Sequence, residues 1–488
     1  MRGDATMKQV LLLTTSTLPT SLLLGALGVL LFDDVGWGLN LPIFAIACYL
    51  AVLHAMRAHG NPGGRETALA GAIAVVWSSV FVWRDSPVLH SLAGLSLAAT
   101  LYFVHLQREF GSLSMPVSAL FRCLPAVVHA FLRGPVCALR QELNGTGTGH
   151  SLHAVHSLAV ARGVLLSVPL LVLFGWLLIS ADARFAERAW DFFTLDLASL
   201  FLTVLTFSVC FWMAIFLLRA RTVRLGAERG AHAPALQPLE VTTALFLLNF
   251  LLALYMAVQL TYFVGGDALV RTTQSLTYAD YARRGFSELV AVAGLTVPVL
   301  LCADWLCETA RGRIRAAQHF ATVTTIVLVT MIAGSAAHRL LLYADAYGLT
   351  EPRVYAAAAL LWVVVLLVWI AWTVLRGQRD RFLCGAFASA LGVAAGLLLV
   401  NPDARIATYN LGRAVAGQPL DTDYLLSLSA DAVPAIVAAR RGLDRDQRLT
   451  VESELLLRAL AYRAPAWQGW NWARYRANHA VFTTAPVD

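Results

Sequence analysis

Apolar runs of about 18–25 residues recur along this chain, each long enough to cross ~30 Å of hydrocarbon as a helix. Eleven can be drawn, at 11–32, 38–56, 68–84, 87–106, 162–180, 196–218, 240–263, 286–306, 320–342, 354–375 and 382–400. Between them the polar segments are mostly short. Only 14% of residues are charged and 58% are hydrophobic, against about 25% charged in a soluble domain. The expected fold class is therefore all-α: a polytopic transmembrane helix bundle. The first run is longer than a secretory h-region and has no small-x-small exit, so it reads as a retained helix.

The basic residues set an orientation. Lys8 is the only lysine among 37 basic residues, and most arginines fall in alternate loops. With the N-terminus inside, the inner loops hold Arg57/Arg65, Arg108/Arg122/Arg133/Arg140, Arg219/Arg221/Arg224/Arg229, Arg311/Arg313/Arg315 and Arg376/Arg379/Arg381. The outer loops hold Arg84, Arg184, Arg188, Arg271, Arg283, Arg284 and Arg353. That asymmetry follows the positive-inside rule and makes the +7 net charge a topology signal rather than a nucleic-acid footprint. An odd number of spans leaves residues after 400 outside.

The expected organisation is a bundle over 1–400 and a helical extracytoplasmic region over 401–488. Residues 107–161, apolar with interspersed arginines, read as a cytosolic or interfacial amphipathic segment. The turn RDSP at 84–87 joins two spans. Beyond 400 the charge rises, NPDA opens a helix, and Asp421 and Asp431 stand where N-caps belong, with Pro434 just inside a helix start. Ala388, Gly392 and Gly396, with Gly385 and Ser389 on an adjoining face, form a small-residue ladder suited to close helix packing in lipid.

Four polar stretches at the expected outer helix ends run against the positive-inside bias: SADARFAERAWD, TYADYARRGFSE, HRLLLYADAYGLTEPR and NPDARIATYNLGR. Arg339, still inside an apolar run, calls for an acidic partner or a snorkelling path, because an unpaired arginine at mid-bilayer costs about 2.5–3.5 kcal/mol. Glu288, Asp280, Asp182 and Asp345 are acids at similar depth. Arg283 and Arg284 suit an interfacial flank, a pair with Asp280 or Glu288, or an anionic group such as a lipid phosphate. Tyr278, Tyr281, Tyr343 and Tyr347 suit an aromatic belt. His150, His153 and His156 have no acidic fourth ligand nearby, the seven cysteines show no CxxC or zinc spacing, and Asp304 and Glu308 read as exposed acids at an inner helix end. The Asn144-Gly-Thr sequon reads as loop composition. Trp467, Trp470 and Trp472 form either a stacking surface or a packing anchor. No P-loop, HExxH, GxSxG or dinucleotide fingerprint stands in a usable context.

Together SADARF, TYADYARRGFSELVAVAGL, HRLLLYADAYGLTEPRVYA and NPDARIATYNLGRAVAGQPLDTDYLLSLSADAVPAI resemble an uncharacterised bacterial multi-pass membrane family, domain of unknown function 4173, close to 4153. The resemblance covers roughly 160–480, with Ser287 standing where an aromatic is expected. It implies a bacterial inner-membrane protein and supplies no activity, cofactor or ligand. The positions it matches are Asp182, Tyr281, Arg284, Gly285, Glu288, Arg339, Tyr343, Gly348, Arg353, Asn401, Asp403, Asn410, Arg413, Asp421 and Tyr424.

The expected function is that of an integral inner-membrane protein without a catalytic motif, cofactor or metal. Its partners are the lipid bilayer and an anionic lipid or envelope protein. An outward-facing cluster of Asp182, Tyr281, Arg283, Arg284, Glu288, Arg339, Tyr343, Arg353, Asp403, Asn410 and Arg413 would engage that ligand. The alternatives are an enzyme acting on a lipid-linked substrate with Glu288 or Asp403 as acid/base, and a transporter, against which inner helix halves free of polar residues would speak.

Overall fold

A computed structural model describes residues 19–33, 35–58, 65–110, 131, 197–219, 237–272, 286–307, 310–461 and 466–484. The helices in chain order are α1 (Pro19–Phe32), α2 (Asn40–Ala58), α3 (Arg65–Trp83), α4 (Pro87–Phe110), α5 (Leu197–Arg219), α6 (Pro238–Thr272), α7 (Phe286–Leu306), α8 (Gly312–Tyr347), α9 (Glu351–Thr373), α10 (Phe382–Val400), α11 (Pro402–Val415), α12 (Thr422–Ser427), α13 (Val433–Ala439), α14 (Arg445–Ala461) and α15 (Trp472–Thr484). No strand occurs among the described residues. Seven helices are long and apolar enough to cross a membrane among those residues, with shorter apolar helices at Pro19–Phe32, Thr67–Trp83 and Leu202–Leu218. The protein is an all-α membrane helix bundle. The expected span at 162–180, the His150/His153/His156 series, the Asn144 sequon, Glu308 and nearly all of 107–161 lie outside the described residues.

The chain divides into two compact units. One takes in residues 1–75, 125–224 and 465–469; its described helices centre on Leu24, Cys48 and Ala214. The other takes in 76–124, 225–464 and 470–488 and holds every site discussed below.

In the second unit α8 is central, packing on α6, α7 and α9, while α10 packs on α9 and α4. At 36 residues it is about 54 Å long, well beyond the hydrocarbon thickness. It begins eight residues before the expected span because Arg313 and Arg315 lower the hydropathy without breaking the helix. That early start reverses the reading of Asp304 as an exposed acid. Asp304 is 3% exposed and sits 3.1 Å from Arg315, which also donates to the Cys307 carbonyl at the α7–α8 turn.

The hydrocarbon-level core is Leu300, Val329, Ile332, Leu367 and Ile370, with Ala321, Ala333 and Ala336 letting backbones approach. The end of this core nearer the α7–α8 turn is not free of polar groups. Asn249 on α6 donates to the Ala321 carbonyl at 2.8 Å and accepts from the Thr325 hydroxyl at 2.8 Å. Thr325→Val removes that donor and is expected to cost about 0.6–1.7 kcal/mol in detergent unfolding; an unchanged stability would show that the α6–α8 bridge contributes nothing.

The small-residue ladder packs on a different face from the one expected. A Cβ at Gly385 would run into the Trp369 indole, and Trp362 Nε1 donates to Ser389 Oγ at 3.2 Å, so this face meets α9. No described atom lies within 4 Å of a Cβ at Gly392 or Gly396. The large indoles of α9 select the row that can admit them.

The C-terminal helices α11–α15 have their own apolar centre of Ile406, Ala407, Leu411, Leu425, Ala432 and Val451. Asn401 ends α10 and starts α11 in the left-handed region (φ 56°), which asparagine tolerates, and its side chain accepts from Ala404 N. Asp421 caps α12 through Tyr424 N at 2.9 Å, as expected. Asp431 does not cap α13, whose N-cap is Ala432; its carboxylate is used elsewhere.

Candidate functional site

Three polar assemblies surround the C-terminal helices. The first is a latch at the α3–α4 turn. The last carbonyls of a helix have no intrahelical partner, and Asn471, fully buried, donates from Nδ2 to the carbonyls of Phe81 (2.8 Å) and Arg84 (2.7 Å). Arg84 does the same for α10, giving the Leu398 carbonyl hydrogen bonds from Nε (3.0 Å) and Nη2 (2.6 Å). Its Nη1 stands 3.2 Å from Asp431 Oδ1, the two side chains being 8% and 3% exposed. Asp431 Oδ2 accepts from Asp85 N at 2.6 Å, and Asp85 Oδ1 from Arg474 Nε at 2.6 Å. Burial pushes the Asp431 carboxyl above its ordinary range, against the pull of the Asp85 amide and the Arg84 guanidinium. RDSP is therefore a tethered turn.

The second is a clamp on the α8–α9 turn. Gly348 turns the chain at φ 82°, ψ 175°, a conformation open essentially to glycine alone. From α11, Asn410 closes on Leu349, accepting from its N and donating to its O, both at 2.8 Å. Arg413 Nη2 donates to the Ala346 carbonyl at 2.9 Å, and Tyr409 to Asp345 at 2.7 Å. Arg353 donates to the Gly348 carbonyl and lies 4.1 Å over the Tyr343 ring. Four of the expected cluster residues, Tyr343, Arg353, Asn410 and Arg413, thus converge, and Arg353, Asn410 and Arg413 each donate to a backbone carbonyl of the turn. Nearby Asp403 is 1% exposed, accepts from the Ser429 hydroxyl and lies against the Glu351 carboxyl; Glu351 N donates to the Tyr424 hydroxyl at 2.8 Å. Arg339 is buried within α8 rather than reaching outward, whereas His338 beside it is exposed. Asp182, Tyr278, Asp280, Tyr281, Arg283 and Arg284 lie outside the described residues, as does the side chain of Glu288.

The third is an open groove of about 610 Å³ between α13 and α15. Pro434, Val437, Ala438 and Ala480 give it apolar walls, and Arg440, Arg441, Trp472, Tyr475, Arg476, His479 and Thr483 complete the lining. No acid lines it. Arg440 is fixed in the floor, donating from Nε to Glu452 Oε1 at 2.8 Å and from Nη1 to the Val437 carbonyl at 3.1 Å. Burial opposes ionisation of Glu452, yet hydrogen bonds from Arg448 and Arg440 hold its carboxyl below the usual range. Arg441 and Arg476 are exposed and make no ion pair among the described residues. Trp472 and Tyr475 stack at 5.7 Å between centroids, and Tyr475 lies 6.1 Å from the His479 ring.

These groove arginines were not among the sequence candidates. The signal for them was present in WNWARYRANHA, where Trp472, Tyr475, Arg476 and His479 recur at three- and four-residue spacing on one helix face. No cluster of three or more His, Cys, Asp or Glu suited to a metal occurs among the described residues. No curated protein and no solved structure matches the chain. Residues 70–439 match a family model described as Domain of unknown function (DUF4153). That is the relative of the family first suggested by the motifs, and the match begins well ahead of them, at residue 70.

Proposed function

The chain belongs to the DUF4153 family, a domain of unknown function, and from that premise we propose that it is a ligand-binding protein of the bacterial inner membrane rather than an enzyme. In this reading residues 401–488 form a cap on the outer face, which recognises an anionic component of the envelope. The observation that carries it is the groove between α13 and α15, cationic and free of acids among the described residues, with Arg441 and Arg476 exposed beside the anchored Arg440. A concave site of a few hundred cubic ångströms with a few convergent charged groups is what small anionic ligands require.

In this reading the ligand sits at the groove arginines, while Arg283 and Arg284 of the expected cluster lie outside the described residues. Arg353 and Arg413 each donate to a turn carbonyl, which ties both to the α8–α9 turn. Burial of Asp403 beneath Ser429 weighs against its acting on a lipid-linked substrate. Transport draws little support from the α6–α8 bridge, where Asn249 and Thr325 bond to each other and to the Ala321 carbonyl.

Two measurements test the reading. A cysteine at exposed Ser453 on α14 is expected to react with a membrane-impermeant maleimide in intact cells; reaction only after lysis would put the cap on the wrong side. Purified protein is also expected to bind soluble polyphosphate, and the Arg441→Ala/Arg476→Ala protein to bind it about tenfold more weakly or worse. Equal binding by both proteins would remove the groove from the function.

A further inference from the structure

Resting on the anionic-ligand reading, we propose that the groove between α13 and α15 holds the phosphate-bearing headgroup of a phospholipid from the leaflet against which the cap lies. Three observations converge on this chemistry. Arg440, Arg441 and Arg476 face one cavity with no acid among its described lining residues, and a guanidinium fork fits phosphate oxygens bidentately. Arg440 is already oriented by Glu452 and the Val437 carbonyl, so part of the site is preorganised. The cavity of about 610 Å³ matches a headgroup and its glycerol rather than a whole lipid, whose chains must leave it.

The exit is apolar and aromatic. Trp472, Tyr475 and Phe482 share the exposed side of α15 at 40%, 48% and 47%. Amphipathic rings of this kind settle at the headgroup level, with the polar edge toward water and the ring toward acyl chains. The opposite side of α15 buries Ala473 and Ala477 against the cap. α14, packed on α15, exposes Leu456, Leu457 and Leu460. A helix with alanines inward and aromatics plus arginine outward, beside exposed leucines, has the composition of a segment seated in a membrane surface. A soluble phosphate would use the arginines and leave the aromatic rim idle; a phospholipid uses both.

The test is native mass spectrometry of the full-length protein released from nanodiscs of phosphatidylglycerol and phosphatidylcholine in equal amounts. The wild type is expected to retain phosphatidylglycerol about tenfold over phosphatidylcholine, and Arg441→Ala/Arg476→Ala to lose that preference. Trp472→Ala is expected to weaken retention of both lipids together, because it removes rim contact rather than charge. Both arginines are exposed and make no ion pair among the described residues, so the double variant should melt with the wild type, which separates lost binding from lost fold. A wild type that does not discriminate, or a double variant that still does, overturns the proposal. Binding of millimolar glycerol 3-phosphate by a wild type that retains no phosphatidylglycerol would instead assign the groove to a soluble phosphate and overturn the lipid source. If the double variant loses polyphosphate while keeping its lipid preference, the headgroup assignment fails and the anionic-ligand reading stands. If the wild type binds neither, both fail.

Discussion

Asp431→Ala is expected to destabilise the second unit by about 3–5 kcal/mol, because it strips a buried guanidinium of its counter-charge. Arg84 and Asp431 are 3.2 Å apart and both nearly inaccessible, so water cannot replace the lost carboxylate. The Asp85 amide loses its acceptor in the same step. Asp431→Asn keeps an acceptor for that amide and is expected to cost less than alanine. Arg84→Met/Asp431→Leu removes both charges and should recover much of the loss, because a buried ion pair replaced by apolar groups is often close to neutral. Denaturant unfolding of purified protein in detergent reads all three. An alanine variant within 1 kcal/mol of wild type would mean the pair is not a working tether.

Gly348→Ala is expected to be the second costly change, at about 3 kcal/mol from backbone strain alone. At φ 82° and ψ 175° an alanine is outside its allowed regions, and its Cβ would stand 2.5 Å from Asn410 Oδ1 and 2.9 Å from Arg413 Nη1. Relief would require α11 to withdraw, breaking both hydrogen bonds between Asn410 and Leu349. Asn410→Ala provides the comparison, since it frees the space and gives up the bonds. If Gly348→Ala is no worse than Asn410→Ala, the glycine conformation carries no constraint of its own.

The apolar runs announced the helices, and each expected span within the described residues is one, because a membrane-length apolar segment has few alternatives to helix. The ends were less legible. Hydropathy falls at Arg313 and Arg315 although α8 continues through them, so Asp304 looked exposed when it was paired. Arg353, Asn410 and Arg413 stood out as polar residues against the charge bias, and their convergence is real. Their employment was hidden, because a backbone carbonyl partner has no signature in side-chain chemistry. RDSP read as a plain turn since its partners, Leu398, Asp431 and Asn471, lie more than 300 residues away in sequence. The groove went unassigned because Arg440 and Arg476 come from helices that nothing local brings together.

That separation has a consequence for how the protein is made. The α3–α4 turn leaves the ribosome carrying a charged arginine whose carbonyl partner follows 314 residues later and whose carboxylate follows 347 residues later. Synthesis proceeds at about 5–20 residues per second, so Arg84 spends tens of seconds without its final neighbours. During that interval the early hairpin depends on water or headgroups to solvate the charge. A ribosome that stops short of Asp431 releases a bundle in which Arg84 never meets its carboxylate, and such products are the ones a membrane protease should remove first.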